Sequence, residues 1–272
     1  MLSALLRQRR RLLLATIAIA LSVGYLAGAL NLLDRVGQGL DALSSSSSAS
    51  ADLVIEGGIA YESPTEQVRR LVPSIIEQSI GDIGGVAVVS PRIEDTAPLV
   101  GPDGKTLVPL GLTEQPIGAN YPADDRLSPF RFVKGGPPTD SSHVAIDERS
   151  ATAGGVGVGD HVIVVGRAGA APYTVSGIVG TSGGGLPPGS SLALLTTPEA
   201  RVRFDRPTDD NTIDVLLEPG ADRAHVQAQI AQRLPAGIDV VDGATGAQHR
   251  QDSLDRSFAL VRALILGFAG LA

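Results

Sequence analysis

Cysteine and tryptophan are both absent from this 272-residue sequence, and aromatic residues make up only 3% of it. Without cysteine, the chain has no disulfide and no cysteine-based zinc or iron–sulfur site. Lysine is scarce as well, since the only two are Lys105 and Lys134. Glycine and proline are abundant, at 33 and 18 residues, and this favours a fold of short strands and turns over an all-helical bundle.

Positive charge is concentrated at the N-terminus. The first 35 residues carry a net charge of +4, whereas the remainder carries −11. An acidic body argues against nucleic acid as a partner, because phosphate binding needs clustered lysine and arginine. Four arginines stand directly before an apolar run, a pattern that fixes the orientation of a membrane helix. They are Arg7, Arg9, Arg10 and Arg11.

The apolar run covers residues 12–33 and contains no charged residue. As a helix it would reach roughly 33 Å, enough to cross a bilayer core of about 30 Å. The arginines place residues 1–11 in the cytoplasm and the body of the chain outside it, at the plasma membrane. A cleaved signal peptide is the alternative, since Ala27–Ala29 resembles a cleavage site, and it gives the body the same location. Residues 34–50 include a serine run and predict a flexible tether.

A β-α-β pattern begins the body of the chain, which we assign to residues 51–248. Strands are predicted at 51–58 and 84–93 from their apolar residues and flanking glycines. Between them, helical spacing predicts a helix over 63–80, with a capping box formed by Ser63 and Glu66 and with Pro64 at the first helical position. Pro73 is expected to kink or split this helix.

A second β-α-β pattern closes the body, with strands at 212–220 and 237–243 around a helix over 221–235. Between the two patterns, residues 95–205 contain short apolar stretches separated by Gly/Pro-rich turns, which predict an inserted β-rich subdomain with strands that include 143–147, 160–165, 173–179 and 191–197. We therefore expect an α+β fold in which two ferredoxin-like β-α-β units flank the insertion.

Three glycine-rich stretches imitate catalytic or nucleotide-binding motifs without their structural context. Gly101–Thr106 has the end of a P-loop, but Leu99 occupies the position of its first glycine, and a hairpin is predicted instead. Gly154–Asp160 precedes a strand rather than a helix, which argues against a dinucleotide loop. Ser182 stands in a G-x-S-x-G sequence, but the glycines and prolines that follow it do not begin a helix.

The remaining candidates are histidines and paired aspartates. His143, His161, His225 and His249 lie far apart and lack metal-site spacing. His225 stands near the apolar face of its predicted helix, which favours a partly buried structural role. The pairs Asp124–Asp125 and Asp209–Asp210 are predicted to lie in solvated loops rather than to form acid/base dyads. We therefore assign no catalytic, cofactor-binding or metal-binding residue and expect a protein that is not an enzyme.

Several stretches occur together in an order that is typical of one family of membrane proteins. They are residues 7–24, 83–94, 143–165, 173–180 and 213–243, followed by the apolar residues 263–272. This pattern resembles the FtsX/MacB-type permease subunits of ABC transporters, and above all their extracytoplasmic core domain. The resemblance covers nearly the whole chain, but it includes no catalytic motif.

The resemblance implies an N-terminal membrane helix, an extracytoplasmic domain and three further membrane helices. It also implies a dimer or pseudo-dimer in the lipid bilayer, with a separate cytoplasmic ATPase that drives export, lipoprotein or lipid handling, or signalling. In this context residues 249–272 are expected to begin a second membrane helix that is incomplete in this chain. An amphipathic tail packed on the domain is the alternative for that segment.

The sequence is also compatible with two other functions. The first is a single-span, membrane-anchored binding or scaffold protein that needs no ATPase. The second is a secreted serine hydrolase that uses Ser182. The apolar run at 263–272 favours the permease, because a tethered soluble protein needs only one span.

Overall fold

The computed structural model describes residues 51–63, 67–107, 116–180, 190–253 and 256, together with the helical residues Gly24 and Gly28. The other residues of the predicted membrane helix 12–33, the four N-terminal arginines, the tether and the apolar residues 263–272 lie outside this part of the chain. Among the described residues, no helix has both the length and the apolar character that a bilayer span requires.

The strands and helices of the described residues have the following bounds. The strands in the first half are β1 (Leu53–Gly57), β2 (Ile59–Glu62), β3 (Gln67–Arg69), β4 (Val72–Pro73), β5 (Val86–Arg92), β6 (Glu94–Thr96), β7 (Leu99–Val100), β8 (Pro116–Asn120) and β9 (Arg131–Gly135). The later strands are β10 (His143–Asp147), β11 (His161–Gly166), β12 (Gly169–Gly180), β13 (Ser191–Leu195), β14 (Asp209–Asp210), β15 (Thr212–Leu217) and β16 (Ile238–Asp242). The helices are α1 (Ile75–Gly81), α2 (Glu148–Gly154), α3 (Thr197–Arg203) and α4 (Arg223–Arg233), with a 3₁₀ helix at Asp125–Leu127.

The small lobe is a four-stranded antiparallel sheet in the order β16-β1-β15-β5. In the sequence, α1 lies between β1 and β5, and α4 lies between β15 and β16. Both helices belong to one apolar core with the sheet, in which Ile76, Ile80, Val226 and Ile230 are buried against the strands. Each fully buried side chain of this size contributes about 1.5–3 kcal/mol to stability.

The opposite face of this sheet, which we call the back face, is covered as well. Val54 alternates with the core residues of β1 and is fully buried in a second apolar cluster with Leu127 and Leu216. Residues 243–253 form the C-terminal helix. This helix approaches the back face so closely that a Cβ atom added at Gly246 would lie 3.0 Å from the Cβ of Val54. Because both faces are covered, β1 is buried along its whole length.

The β-rich lobe is inserted between β5 and β15. Its sheet has the order β6-β8-β13-β10-β12-β11-β7, and β9 pairs with β12. A buried apolar core fills this lobe and includes Ile146, Val164, Tyr173 and Phe204. The aromatic ring of Phe204 lies where a Cβ at Gly118 would stand, at 2.5 Å from that position, so glycine is required there.

The strands predicted within residues 95–205 are found in this lobe. The predicted strand 143–147 coincides with β10, and those at 160–165, 173–179 and 191–197 overlap β11, β12 and β13. The turn predicted in Gly101–Thr106 is also present, since Gly101 N donates to Lys105 O and Val100 bridges to Thr106. The predicted α+β fold class is confirmed.

The helix predicted over 63–80 is wrong in its first half. Residues 67–69 form β3, which pairs with β2, and α1 begins only at Ile75. Pro73 ends the possibility of a continuous helix, because it lacks an N–H group and disfavours helical geometry at the residue before it. Long-range pairing holds the preceding segment extended, since Arg70 N donates to Gly58 O at 2.9 Å. Pro64 and Glu66, assigned to the helix start, lie outside the described residues.

Candidate functional site at the C-terminal helix

The sequence-based site candidates are scattered over the structure. His161 is exposed beside Thr174, and His143 Nδ1 lies 2.9 Å from Asp140 Oδ2. His225 was predicted to be partly buried, but it is exposed, because its ring leaves the apolar face of α4 and contacts Gln229. Within the described part of the chain, no cluster of His, Asp and Glu could hold a metal ion. Ser182 lies outside the described residues.

The two aspartate pairs differ from each other. Asp124 caps the 3₁₀ helix and pairs with Arg126, and Asp125 accepts a hydrogen bond from Tyr121, so this pair lies in an exposed loop as predicted. The prediction of a solvated loop is wrong for Asp210, which is completely buried. Long-range packing buries it, because β14 pairs with β4 beside α1.

His249 joins the C-terminal helix to the back face of the small lobe. Its Nδ1 atom lies 2.7 Å from Oε1 of Glu56, a strand residue that is only 4% exposed. The same carboxylate oxygen is 3.0 Å from Nη1 of Arg69, which also donates to Gly57 O. One buried carboxylate therefore connects β1, the end of β3 and the C-terminal helix.

A second charged group lies next to this contact, where the small lobe meets the β-rich lobe. Nη2 of Arg92 is 2.6 Å from Asp214 Oδ2, and Nη1 is 3.4 Å from Glu94 Oε1. Burial alone lowers the pKa of Arg92, but the charges of Asp214 and Glu94 more than offset this and hold that pKa above its usual value. Arg92 ends β5 and Glu94 begins β6, so this ion pair marks the passage from one lobe to the other.

Arg250 brings a further positive charge into the same region. Burial and the charge of Arg92 lower the pKa of Arg250 to about 10, while Asp214, Glu94 and Glu56 act in the opposite direction. Arginine remains charged at neutral pH under these conditions. The C-terminal helix thus places a second cation near Arg92. The carboxylates of Asp214, Glu94 and Glu56 offset the repulsion between the two guanidinium groups.

The lobes are also joined away from the C-terminal helix. Arg201 Nη2 on α3 lies 2.6 Å from Glu77 Oε1 on α1 and 2.9 Å from Asp210 Oδ1. Burial, reinforced by the charge of Glu77, raises the pKa of Asp210 to about 7, although Arg201 opposes the shift. The linker itself is held by Asn120, which accepts from Ile93 N at 2.7 Å and donates to Pro91 O at 2.9 Å.

These charged groups make up a junction of three parts of the chain. The C-terminal helix contacts the small lobe at Glu56 through His249, and the charge of Arg250 interacts with the charges of Arg92, Asp214 and Glu94 at the boundary of the lobes. Ion pairs of this kind depend on distance and burial, so a displacement of the helix changes the interactions of all three parts together. The junction gives the C-terminal helix a direct contact with the small lobe and an electrostatic interaction with Glu94 at the start of the β-rich lobe.

Most of this junction was missed by the sequence analysis. Glu56, Arg92, Asp214 and Arg250 have no motif of their own, and His249 was treated only as a possible metal ligand. A signal did exist, because Glu56 and Asp214 each interrupt an otherwise apolar strand. A charged residue at such a position is rarely buried without a partner.

Comparison with known proteins identifies the family. The sequence pattern of the MacB-like periplasmic core domain matches residues 12–233. The chain belongs to this family. The match starts at the first residue of the predicted membrane helix and ends in α4, so it covers the small lobe except for β16, and all of the β-rich lobe.

The fold likeness extends to solved structures of MacB-like domains. The periplasmic region of MacB from Actinobacillus actinomycetemcomitans is similar with a TM-score of 0.55 and 12% identity, over 75% of this chain and 95% of that one. The extracellular domain of the ABC-type transporter YknZ from Gram-positive bacteria gives a TM-score of 0.49 and 12% identity, over 70% of this chain and 99% of that one. No curated protein matches the chain significantly. The resemblance drawn from the sequence is therefore confirmed.

Proposed function

We propose that this MacB-like domain is part of a permease subunit of an ABC transporter and that a cytoplasmic ATPase partner drives it. Residues 12–33 cross the bilayer, Arg7, Arg9, Arg10 and Arg11 keep the N-terminus in the cytoplasm, and the two lobes lie outside. The subunit works as a dimer or pseudo-dimer with another permease half. Family membership and the likeness to MacB support this proposal, and no observation favours an anchored scaffold without an ATPase.

The observation that carries the proposal is the junction at the C-terminal helix. In the sequence this helix is followed by the apolar residues 263–272, which we propose to begin the second membrane helix. His249 and Arg250 on the helix contact or approach the charged groups at the boundary of the lobes. A movement of the membrane segment is thereby transmitted to both lobes, which is what coupling to an ATPase requires.

The domain organisation follows from the same reasoning. The sheet order β16-β1-β15-β5, with one helix inside each β-α-β unit, supports a ferredoxin-like small lobe. The C-terminal helix crosses the predicted domain boundary at residue 248, and its contacts at Glu56 belong to the lobe. We therefore propose that residues 51–256 form the independently folding extracytoplasmic unit.

Reporter fusions test the proposed topology. Alkaline phosphatase, which is active only outside the cytoplasm, is fused after Ser50, and green fluorescent protein is fused there in a matched chain. We expect phosphatase activity and no fluorescence. Reversing the charge of the four N-terminal arginines is the control, and it should reduce the phosphatase signal. Fluorescence from the unaltered chain would contradict the topology.

A disulfide clamp tests the proposed coupling. Val54→Cys and Gly246→Cys are introduced together into the complete permease that contains this domain, which is co-expressed with its ATPase and reconstituted in nanodiscs. The Cβ positions lie 3.0 Å apart, so a shift of about 1 Å gives disulfide geometry. The domain itself has no other cysteine.

The clamp should lower the ATP-driven activity under oxidising conditions, and a reducing agent should restore it. Each single cysteine variant serves as a control for the loss of packing at Val54 or Gly246. Complete cross-linking that leaves ATP hydrolysis and transport unchanged would show that the C-terminal helix does not move relative to the small lobe during turnover, and the coupling route would be refuted.

A further inference from the structure

The β2–β3 hairpin exposes apolar side chains that no other part of the described chain covers. Tyr61 on β2 is 57% exposed and pairs across the hairpin with Val68 on β3, which is 41% exposed. Ile59, at the start of β2, is 47% exposed. Every residue of β2 is exposed, in contrast to β1, which is buried throughout. Tyr61 and Val68 thus form a small exposed apolar pair on one face of the hairpin, whereas Ile59 lies opposite Arg69 beyond a β-bulge.

The position of the hairpin indicates what covers this surface. Arg256, the last described residue, forms an ion pair with Glu62 of β2. Only six residues separate Arg256 from Ala263, where the uncharged apolar run 263–272 begins. The hairpin therefore stands beside the place where the chain passes from the folded domain to the segment assigned to the membrane.

We propose that the β2–β3 hairpin rests in the interfacial region of the lipid bilayer, with Tyr61 and Val68 as its lipid-contacting side chains. This inference rests on the membrane insertion that the proposed function includes. Tyrosine is suited to this position, because its ring is apolar and its hydroxyl group reaches the headgroups.

The hairpin is connected to the C-terminal helix through a shared carboxylate. Arg69 follows Val68 directly and pairs with Glu56, the carboxylate that also contacts His249. The hairpin and the C-terminal helix consequently reach the same buried group from two sides. A hairpin anchored at the bilayer surface gives the small lobe a fixed point against which the C-terminal helix moves.

The absence of native tryptophan makes the proposal directly measurable. Single tryptophans are introduced into the full chain as Tyr61→Trp, Val68→Trp, Val158→Trp or Tyr25→Trp. Val158 is an exposed apolar residue of the β-rich lobe and is the matched control, whereas Tyr25 lies in the predicted membrane helix. The variants are reconstituted in phosphatidylcholine–phosphatidylglycerol vesicles, with and without lipid brominated on the acyl chain near the headgroup.

We expect Tyr61→Trp to lose emission intensity in brominated vesicles, while Val158→Trp keeps its intensity. Val68→Trp should behave like Tyr61→Trp, and it maintains the test if one hairpin variant does not fold. Quenching at Tyr25 without quenching at either hairpin position overturns the hairpin proposal and leaves the proposed topology intact. Quenching at none of the positions overturns the membrane insertion on which both depend. A blue-shifted but unquenched hairpin tryptophan identifies a protein contact instead and also overturns the proposal.

Discussion

Replacing Asp210 by asparagine is expected to remove a pH dependence from the stability of the domain. Asp210 is completely buried and shares Arg201 with Glu77, so two carboxylates surround one guanidinium group. Burial and the neighbouring charge of Glu77 raise the pKa of Asp210 to about 7. The native state therefore holds a proton at this site at pH values where the unfolded chain, with an ordinary aspartate pKa, has released it.

The sign and the size follow from this difference in pKa. A raised native pKa gives stability that is present at low pH and is lost as the pH rises from about 4 through 7. A pH of 5 lies about two units below the native pKa of Asp210. At 1.36 kcal/mol per unit, this difference gives the native state about 2–3 kcal/mol of stability. At pH 8 this contribution is close to zero. Asparagine is neutral at both values, so it removes the difference.

Urea unfolding of residues 51–256, followed by circular dichroism at pH 5 and pH 8, measures the effect. The free energy of unfolding of Asp210→Asn minus that of the unaltered domain should be about 2–3 kcal/mol larger at pH 8 than at pH 5, because only the unaltered domain loses stability over this range. Asp209→Asn is the matched control, because Asp209 is the neighbouring residue and is only partly buried, and it should show no such change. A difference between Asp210→Asn and the unaltered domain that is the same at both pH values would refute the reasoning.

Three further predictions concern the fold and the motifs. Asn120→Ala should lower the free energy of unfolding by about 1–3 kcal/mol, because it leaves the buried Ile93 N–H group without its acceptor. A loss under about 0.5 kcal/mol, the range of an exposed substitution, would contradict this. Gly118→Ala should cost about 1–3 kcal/mol in the same assay, since the new methyl group overlaps the Phe204 ring. Lys105→Ala, at an exposed turn residue, and Ser182→Ala should both leave transport activity and stability unchanged. A loss of activity in either folded variant would contradict this and would indicate a P-loop or hydrolase role.

Local sequence patterns determined much of this protein. The strands β10 to β13 and both β-α-β patterns were predicted from periodicity and turn residues. These features depend on residues close together in the sequence, where alternation, capping and glycine conformations act directly. The same local patterns, in their order along the chain, were sufficient to recognise the family.

Only the tertiary structure decided which polar residues matter. Residues 67–69 follow helical spacing but are held in the β2–β3 hairpin by pairing with β2, and Asp210 lies in a polar stretch but is buried by its neighbours in space. His249 and Glu56 are 193 positions apart, yet their side chains meet at 2.7 Å. A buried charge is stable only with its partners, and those partners come from distant segments. The sequence identified the elements of the domain, and their packing created the junction at the C-terminal helix.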